Sequence, residues 1–277
     1  MLGKLIKHEW RSVWKVPGAV NLFLLLYTLA GILSFHSSIW ESDNKIIEAL
    51  LILASIFYFI SLIVISFTVM IYITVRFYRN VYTDEGYLTH TLPVSQQDII
   101  FSKLLVAFIW IIITGIVIII SIFSVAVTVL SIQENVSIAE IWESFTMFFS
   151  KEYARHFKEL FGISTLHGIL LALITVIAGI IQSILMIYAS ISLGQLLQKH
   201  KILGSFLGYL GIHTVLQILN SVLLAPVMFS MRFDLTAAEA TAKILPYYYF
   251  NLGECIILCI VFFLLTEFIM KKKLNLD

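Results

Sequence analysis

Apolar residues in this chain gather into six long runs, near 18–38, 46–75, 101–131, 165–197, 204–229 and 248–270, separated by short polar stretches. Each run holds the roughly 20 mostly apolar residues that a helix needs to cross a bilayer. The second and third are longer than a crossing requires, which predicts tilt or extension into the cytosol. Ahead of the first run the pattern changes. Leu2, Leu5, Ile6, Trp10, Val13 and Trp14 recur at helical spacing, while Lys4, Lys7, His8, Arg11 and Lys15 take the opposite face. A basic amphipathic helix with two tryptophans belongs in the membrane interface. The apolar run that follows at once makes an ordinary surface helix the weaker reading. Pro17 and Gly18 are expected to end this helix. The pattern therefore predicts an all-α membrane protein, with an interfacial helix over 1–17 and a single six-helix transmembrane domain over 18–277.

Composition agrees with a bilayer environment. The 277 residues are 60% hydrophobic and 13% charged, about half the charge of an ordinary soluble domain. A net charge of +1 gives no reason to expect nucleic acid as a partner. The placement of charge is more informative than its sum. With the N-terminus in the cytosol, the cytosolic segments hold Lys4, Lys7, Arg11, Lys15, Arg76, Arg79, Lys103, Lys199, Lys201 and Lys271 to Lys273, twelve of the 18 basic residues. The other side holds Lys45, Lys151, Arg155, Lys158, Arg232 and Lys243 with most of the acids. This satisfies the positive-inside bias, so both termini are expected in the cytosol. "MLGKLIKHEWRSVWK" spreads its charges and offers no small-residue cleavage site, so a cleavable signal peptide is not expected.

The outside loop over 132–164 is itself patterned. Ser137-x-x-Glu140 is a capping-box signature, followed by Ile138, Ile141, Trp142, Phe145, Phe148 and Phe149 on one helical face. Tyr153, Phe157, Leu160 and Phe161 continue the theme. These predict helices lying in the outer leaflet's interface, in a loop too short for a globular receptor domain.

Candidate chemistry is sparse. The chain has no G-x-x-x-x-G-K-[ST], no H-E-x-x-H and no G-x-S-x-G, and His167 and His213 stand without an acid and nucleophile at useful spacing. No catalytic residue, metal or cofactor is expected in it. Cys255 and Cys259 lie four apart in an apolar run with no further ligand at metal spacing, and read as small core residues. Glu254 and Glu267, close to the ends of the last span, supply nearly all the intramembrane charge. Ion-coupled carriers usually place ionisable groups at mid-membrane, which weighs against that class.

Polar faces within spans are more suggestive. Tyr58, Ser61, Thr68 and Tyr72 in the second run read mainly as helix–helix glue. So do Thr175, Gly179, Gln182, Ser183, Met186 and Ser190 in the fourth. In the fifth, Tyr209, His213, Gln217 and Asn220 are costlier in lipid and suit a wetted path open to amphiphiles. Gly204, Gly208 and Gly211 begin that same run as a small-residue packing face.

The least apolar stretch in the first half is "YRNVYTDEGYLTHTLPVSQQDII", Tyr78 to Ile100. Thr83 or Asp84 can cap a short helix, and Asp84 and Glu85 suit its positive N-terminal end. Pro93 stops it, and Ser95-x-x-Asp98 forms a second capping box that opens the third span. The product is a stiff helix of about two turns, predicted across the cytosolic ends of two long spans. A mere connection needs only a few flexible residues.

"FYRNVYTDEGYLTHTLPVSQQDIIFSKLL", Phe77 to Leu105, resembles the segment between the second and third spans of ABC-2-type permeases of Firmicutes. These are membrane subunits of ATP-binding-cassette transporters. The six-span plan and the amphipathic N-terminus extend the resemblance over the whole chain, while the motif-level match is confined to this segment. The resemblance implies that residues 80–98 carry a coupling helix docked in a groove of a cytosolic ATPase. That role falls on Thr83, Asp84, Glu85, Gly86, Tyr87, Leu88, Thr89, Leu92 and Pro93, with Gly86 giving close approach and Tyr87 and Leu88 as apolar anchors. It further implies two copies of the ATPase, which bind the ATP and Mg2+, and a second permease chain, identical or paralogous. The implied location is the bacterial cytoplasmic membrane, and the implied cargo an exported amphiphile such as a peptide antibiotic, drug or lipid. Short re-entrant helices before the last span are common in the family and would fall in Asp234–Glu254. Two other readings stay open: an autonomous carrier or channel, and an immunity or sensor protein that binds a peptide in the membrane without moving it.

Overall fold

The computed structural model describes residues 2–35, 45–91, 93–133, 136–197, 199–230 and 237–272. Among them lie ten helices and no strand. They are α1 (Leu2–Val13), α2 (Lys15–Phe35), α3 (Lys45–Tyr82), α4 (Asp84–Thr91), α5 (Gln96–Gln133), α6 (Ile138–Met147), α7 (Lys151–Phe161), α8 (Thr165–Gly194), α9 (Lys201–Ser230) and α10 (Ala237–Lys272). Six stretches are long and apolar enough to cross a membrane: Lys15–Leu33, Lys45–Tyr82, Gln96–Ser131, Thr165–Gly194, Lys201–Ala225 and Leu245–Lys272. The chain is an all-helical, multi-pass membrane protein. Phe59, Ile63, Phe67 and Ile71 of α3, like Leu166, Leu173 and Val176 of α8, stay largely uncovered. Faces of that kind are stable against hydrocarbon and not against water.

Three boundaries differ from expectation. Pro17 and Gly18 do not end α1; it stops at Val13, and both fall in the first turn of α2, with Pro17 fully buried. Proline is tolerated there because its missing N–H would have no acceptor in the helix. The Gly18 N–H still reaches the Trp14 carbonyl at 2.9 Å, so little is lost at the junction. Next, α3 and α5 each run for 38 residues, beyond the expected 46–75 and 101–131, and end close to α4 on both sides. Last, Ala237–Lys272 is one helix with Pro246 inside it, not short re-entrant helices. The alanine-rich start and the lack of any glycine before Gly253 favour a continuous helix. Residues 234–236 of that expected segment, and Arg232 and Lys273 of the charge count, lie outside the described residues.

Contacts divide the chain into two compact units, Met1–Arg76 with Leu105–Thr146, and Phe77–Leu104 with Met147–Asp277. Their borders cut through α3 and α5 instead of falling in linkers. In the first unit, Leu24, Leu62 and Ile65 form a buried cluster against which Val20, Tyr58, Val117 and Ile118 pack. Polar pairs cross this apolar contact. Asn21 donates to Thr114 at 3.0 Å, and Thr28 meets Ser121 at 2.6 Å. The Thr28 hydroxyl proton already serves the Leu24 carbonyl, so Ser121 donates to Thr28 and Tyr58 in turn donates to Ser121 at 2.6 Å. A directed chain of three hydroxyls therefore joins α2, α3 and α5. The amphipathic α1 is fastened by Trp10 stacked on Trp110 with ring centres 5.0 Å apart, and by Arg76 donating to Ser12. Its lysines and Arg11 remain on the exposed face. At α6 both bonds of the Ser137–Glu140 box form, each at 3.2 Å.

In the second unit α8 packs against both α9 and α10. The turn into α9 brings backbones together at glycine. A methyl group on Gly194 would overlap Ser205 and come within 2.7 Å of the Lys201 carbonyl. Ahead of α8, the short α7 is capped by Ser150, which accepts from the Tyr153 N–H at 3.1 Å. It closes on Gly162, whose φ of 67° is the left-handed conformation glycine adopts freely. Phe157 of α7 occupies the space that a side chain on Gly168 would need.

Candidate functional site

Everything that fixes α4 is built from the ends of its neighbours. Thr83 does not cap it. The Thr83 hydroxyl donates to the Arg79 carbonyl at 2.7 Å and so closes α3, while its own carbonyl accepts from the Gly86 N–H at 2.6 Å. A threonine at a helix end can bond backward four residues as readily as forward. Asp84 then opens α4, exposed, with Glu85 behind it in the first turn, where the backbone field favours acids. Glu85 has a second task. It lies 3.5 Å from the Arg79 guanidinium, and with the Asn80 amide oriented to satisfy its neighbours it accepts from Asn80 at 2.5 Å. The same amide accepts from Lys103 at 3.1 Å. Asn80 and Lys103 are buried while Arg79 and Glu85 reach the surface, so these polar contacts tie α3, α4 and α5 together from a buried pair outward.

The remaining residues expected to couple divide into three groups. Gly86 is buried by the chain's own atoms. Tyr87 is 58% exposed and Pro93 is exposed. The side chains of Leu88 and Thr89, and Leu92 altogether, lie outside the described residues. At the foot of α5, Ser95 accepts from the Asp98 N–H at 3.1 Å and donates to the Asp98 carboxylate at 2.8 Å. Asp98 therefore returns to the serine hydroxyl and not to its N–H, giving half of a capping box.

Both neighbours of α4 are anchored further into the second unit. Phe77 stacks on Tyr188 of α8 with ring centres 3.7 Å apart and planes within 7°. The Ser192 hydroxyl donates to the Tyr188 carbonyl, so Tyr82 must be the donor in its 2.6 Å contact with Ser192. On the other side, Gln97 donates to Glu267 of α10 at 2.9 Å, and Lys271 pairs with the same carboxylate. None of these contacts was legible in the sequence, although Glu267 stood out there as a carboxylate near a span end.

The second candidate face lies on α9. Tyr209 and His213 are stacked at 5.9 Å with nearly parallel rings, His213 and Gln217 are exposed, and Asn220 is half-buried. The Asn220 side-chain oxygen is enclosed without a hydrogen-bond partner among the described residues. Of the three packing glycines, Gly204 abuts Leu197 and lies with its missing Cβ 3.3 Å from the Gly194 Cα. Gly208 faces the Ser190 carbonyl at 3.5 Å, and Gly211 meets nothing within 4 Å. The close approach is thus made by Gly194, Gly204 and Gly208, and Gly211 is not part of it. Gly194 escaped the sequence reading because its partner surface is on another helix.

Most hydroxyls read as glue turn back on their own helix. Ser61 donates to Tyr58, Thr68 to Val64, Thr175 to Leu171, Ser183 to Gly179 and Ser190 to Met186, in each case to the carbonyl. Only Tyr58 among that group makes one of the interhelical bonds described above. Glu254, placed near a span end by sequence, lies nine residues inside Leu245–Lys272, about 13 Å at 1.5 Å per residue. Both its carboxylate oxygens are enclosed and lack a hydrogen-bond partner among the described residues. Cys255 and Cys259 beside it are free thiols, Cys259 approaching the Ala178 carbonyl at 3.8 Å.

Searches of protein-family models, curated proteins and solved structures find no match to this chain.

Proposed function

We propose that this chain is the membrane subunit of an ATP-binding-cassette transporter in a bacterial cytoplasmic membrane, exporting an amphiphile with energy from a separate ATPase. The observation that carries this reading is α4. Eight residues of helix sit between two 38-residue helices, braced by Arg79, Asn80, Glu85 and Lys103, with Tyr87 left 58% exposed. A stiff helix with an outward aromatic is suited to receive force from a partner's groove. The bracing that leads from it to Tyr188, Ser192 and Glu267 supplies a route by which that force reaches α8 and α10. Two ATPase copies and a second permease chain, identical or paralogous, complete the proposed assembly. ATP and Mg2+ would be held by the ATPase. The Tyr209–His213–Gln217–Asn220 face of α9 is the proposed contact for cargo.

One observation favours a second reading, an autonomous carrier. The enclosed Glu254 carboxylate is the sort of intramembrane group that ion-coupled carriers use. The two readings part in a direct experiment. The chain is co-expressed with a P-loop ATPase encoded beside it, purified, and assayed in nanodiscs for substrate-stimulated hydrolysis. Tyr87→Asp and Glu85→Lys should leave insertion intact. Each should weaken co-purification of the ATPase at least about tenfold, as loss of an interface anchor does, or abolish stimulation. Wild-type coupling in both variants, with transport by the chain alone in liposomes, would move the carrier ahead.

A further inference from the structure

We infer that the cationic face of α1 is a docking strip for the headgroups of anionic phospholipids in the leaflet around it. At about 100° per residue, Lys4, Lys7, Arg11 and Lys15 point within an arc of about 80°. All four are exposed, and among the described residues no hydrogen bond or ion pair occupies them. Glu9, the single acid of α1, is buried on the opposite side. Trp14, 51% exposed, borders the row. Trp10, stacked on Trp110 with ring centres 5.0 Å apart, keeps α1 from rolling, so the row stays outward. Clusters of about four to eight basic residues on an amphipathic helix or beside a span attract acidic lipid.

What favours lipid over a soluble anion is the continuation of this row into the span. The Trp14 N–H donates to the Trp10 carbonyl at 3.1 Å and the Gly18 N–H to the Trp14 carbonyl at 2.9 Å, so the helical course passes from α1 into α2. Its buried side keeps a spacing of three or four residues throughout, from Glu9 through Val13, Pro17, Asn21 and Leu24 to Thr28. The opposite side keeps register as well. Leu22, Leu25, Leu26, Leu29 and Leu33 are exposed and point in the direction of the four cations, Leu22 standing about five turns after Lys4. One face therefore runs from charge into the apolar stretch Lys15–Leu33, which is long enough to cross a membrane. A phospholipid has the same order, a charged headgroup followed by acyl chains. A free phosphate would meet the cations and leave the leucines unused. A soluble acidic segment could not follow them into hydrocarbon, where exposed backbone finds no water.

This strip needs no ATPase, so its test stands apart from the transporter reading. The purified full chain is delipidated and returned to phosphatidylcholine bilayers with or without phosphatidylglycerol. Phosphatidylglycerol should raise the unfolding temperature and stay bound in native mass spectra, and high salt should weaken both effects by screening exposed charge. Lys4→Gln, Lys7→Gln and Arg11→Gln should each weaken its retention about fivefold, and the triple variant about a hundredfold. The single variants, all at exposed positions, carry the test if the triple one folds poorly. Lys4→Arg with Lys7→Arg should retain the lipid, because charge and not shape is read. Leu26→Ser should lower retention of both lipids alike, since both carry acyl chains. Three results overturn the proposal. One is an undiminished preference for phosphatidylglycerol in the Gln variants. Another is a loss of the same size in Lys199→Gln, an exposed lysine of the α8–α9 turn, since net charge alone would then account for binding. The last is equal stabilisation in phosphatidylcholine by inorganic phosphate or an acidic peptide, which would make the row a site for soluble anions.

Discussion

Single residues settle how closely two helices approach, and glycine gives the sharpest contrast. At Gly194 a methyl group would meet Ser205 and the Lys201 carbonyl, whereas at Gly211 it would meet nothing within 4 Å. Gly194→Ala should therefore destabilise the fold by about 1–3 kcal/mol through overpacking. Gly211→Ala should be neutral or slightly stabilising, since alanine is the better helix former by about 1 kcal/mol. Thermal unfolding of both variants in detergent, followed by tryptophan fluorescence, tests the pair; equal midpoints would mean that the α8–α9 contact yields easily. The spacing of Gly204 and Gly208 was readable in the sequence, but their partner Gly194 was not, because register between helices is a tertiary fact. The same holds for the polar pairs of the first unit. Asn21 and Thr28 are seven apart, as are Thr114 and Ser121, so two helical turns on α2 match two on α5. Each half of that match is plain in the sequence, and only packing says that the halves belong together. Hydroxyls mislead for the opposite reason. Thr68, Thr175, Ser183 and Ser190 have a nearer acceptor on their own helix than any across the interface.

At the scale of elements, apolar run length was the dependable signal, and all six runs are helices long enough to cross a membrane. What the runs could not reveal is where a helix continues beyond its apolar part. α3 carries on through Arg76, Arg79 and Asn80 to Tyr82, and α5 begins at Gln96, where side chains such as Asn80 and Lys103 find polar partners. Those extensions carry the contacts that the two neighbours of α4 make with α8 and α10. Glu267 is the joint on the α10 side, accepting from Gln97 and pairing with Lys271 while 6% exposed. If force enters at α4, removing this joint should disconnect hydrolysis from transport without disturbing the docking surface. Glu267→Leu should thus co-purify with the ATPase as wild type does, yet lose most substrate stimulation of hydrolysis. Glu267→Gln keeps an acceptor for Gln97 and should lie between the two. Loss of ATPase binding in Glu267→Leu would instead make Glu267 part of what shapes α4.

For the whole molecule the open physical quantity is orientation, and it rests on charge. Twelve of the 18 Lys and Arg residues fall on one side of the six runs, including the basic face of α1, the ends of α3 and α5, the α8–α9 turn and the end of α10. Moving a lysine or arginine through hydrocarbon costs about 2.5–3.5 kcal/mol even on the scale measured for insertion, so the side with more of them resists translocation. The structure adds that these cations cluster where polar partners wait. Arg79 meets Glu85, Lys103 meets Asn80, and Lys271 meets Glu267, so that end of the second unit is built as a polar layer. α7 differs. Its Lys151, Arg155 and Lys158 are three of only six basic residues on the other side of the runs, so fewer cations there resist translocation. In a chain lacking Cys255 and Cys259, single cysteines at Lys272 and Pro93 should thus be shielded from an impermeant thiol reagent in intact cells and labelled after permeabilisation. A cysteine at Glu152, exposed on α7, should be labelled in both. Labelling at Lys272 but not Glu152 in intact cells would invert the chain, put α4 outside the cell and remove any cytosolic ATPase from its reach. Labelling at Lys272 and Glu152 but not Pro93 would mean an odd number of crossings after α4, and α9, which has the least apolar of the six runs and no buried residue in its apolar window, would be the first to be doubted.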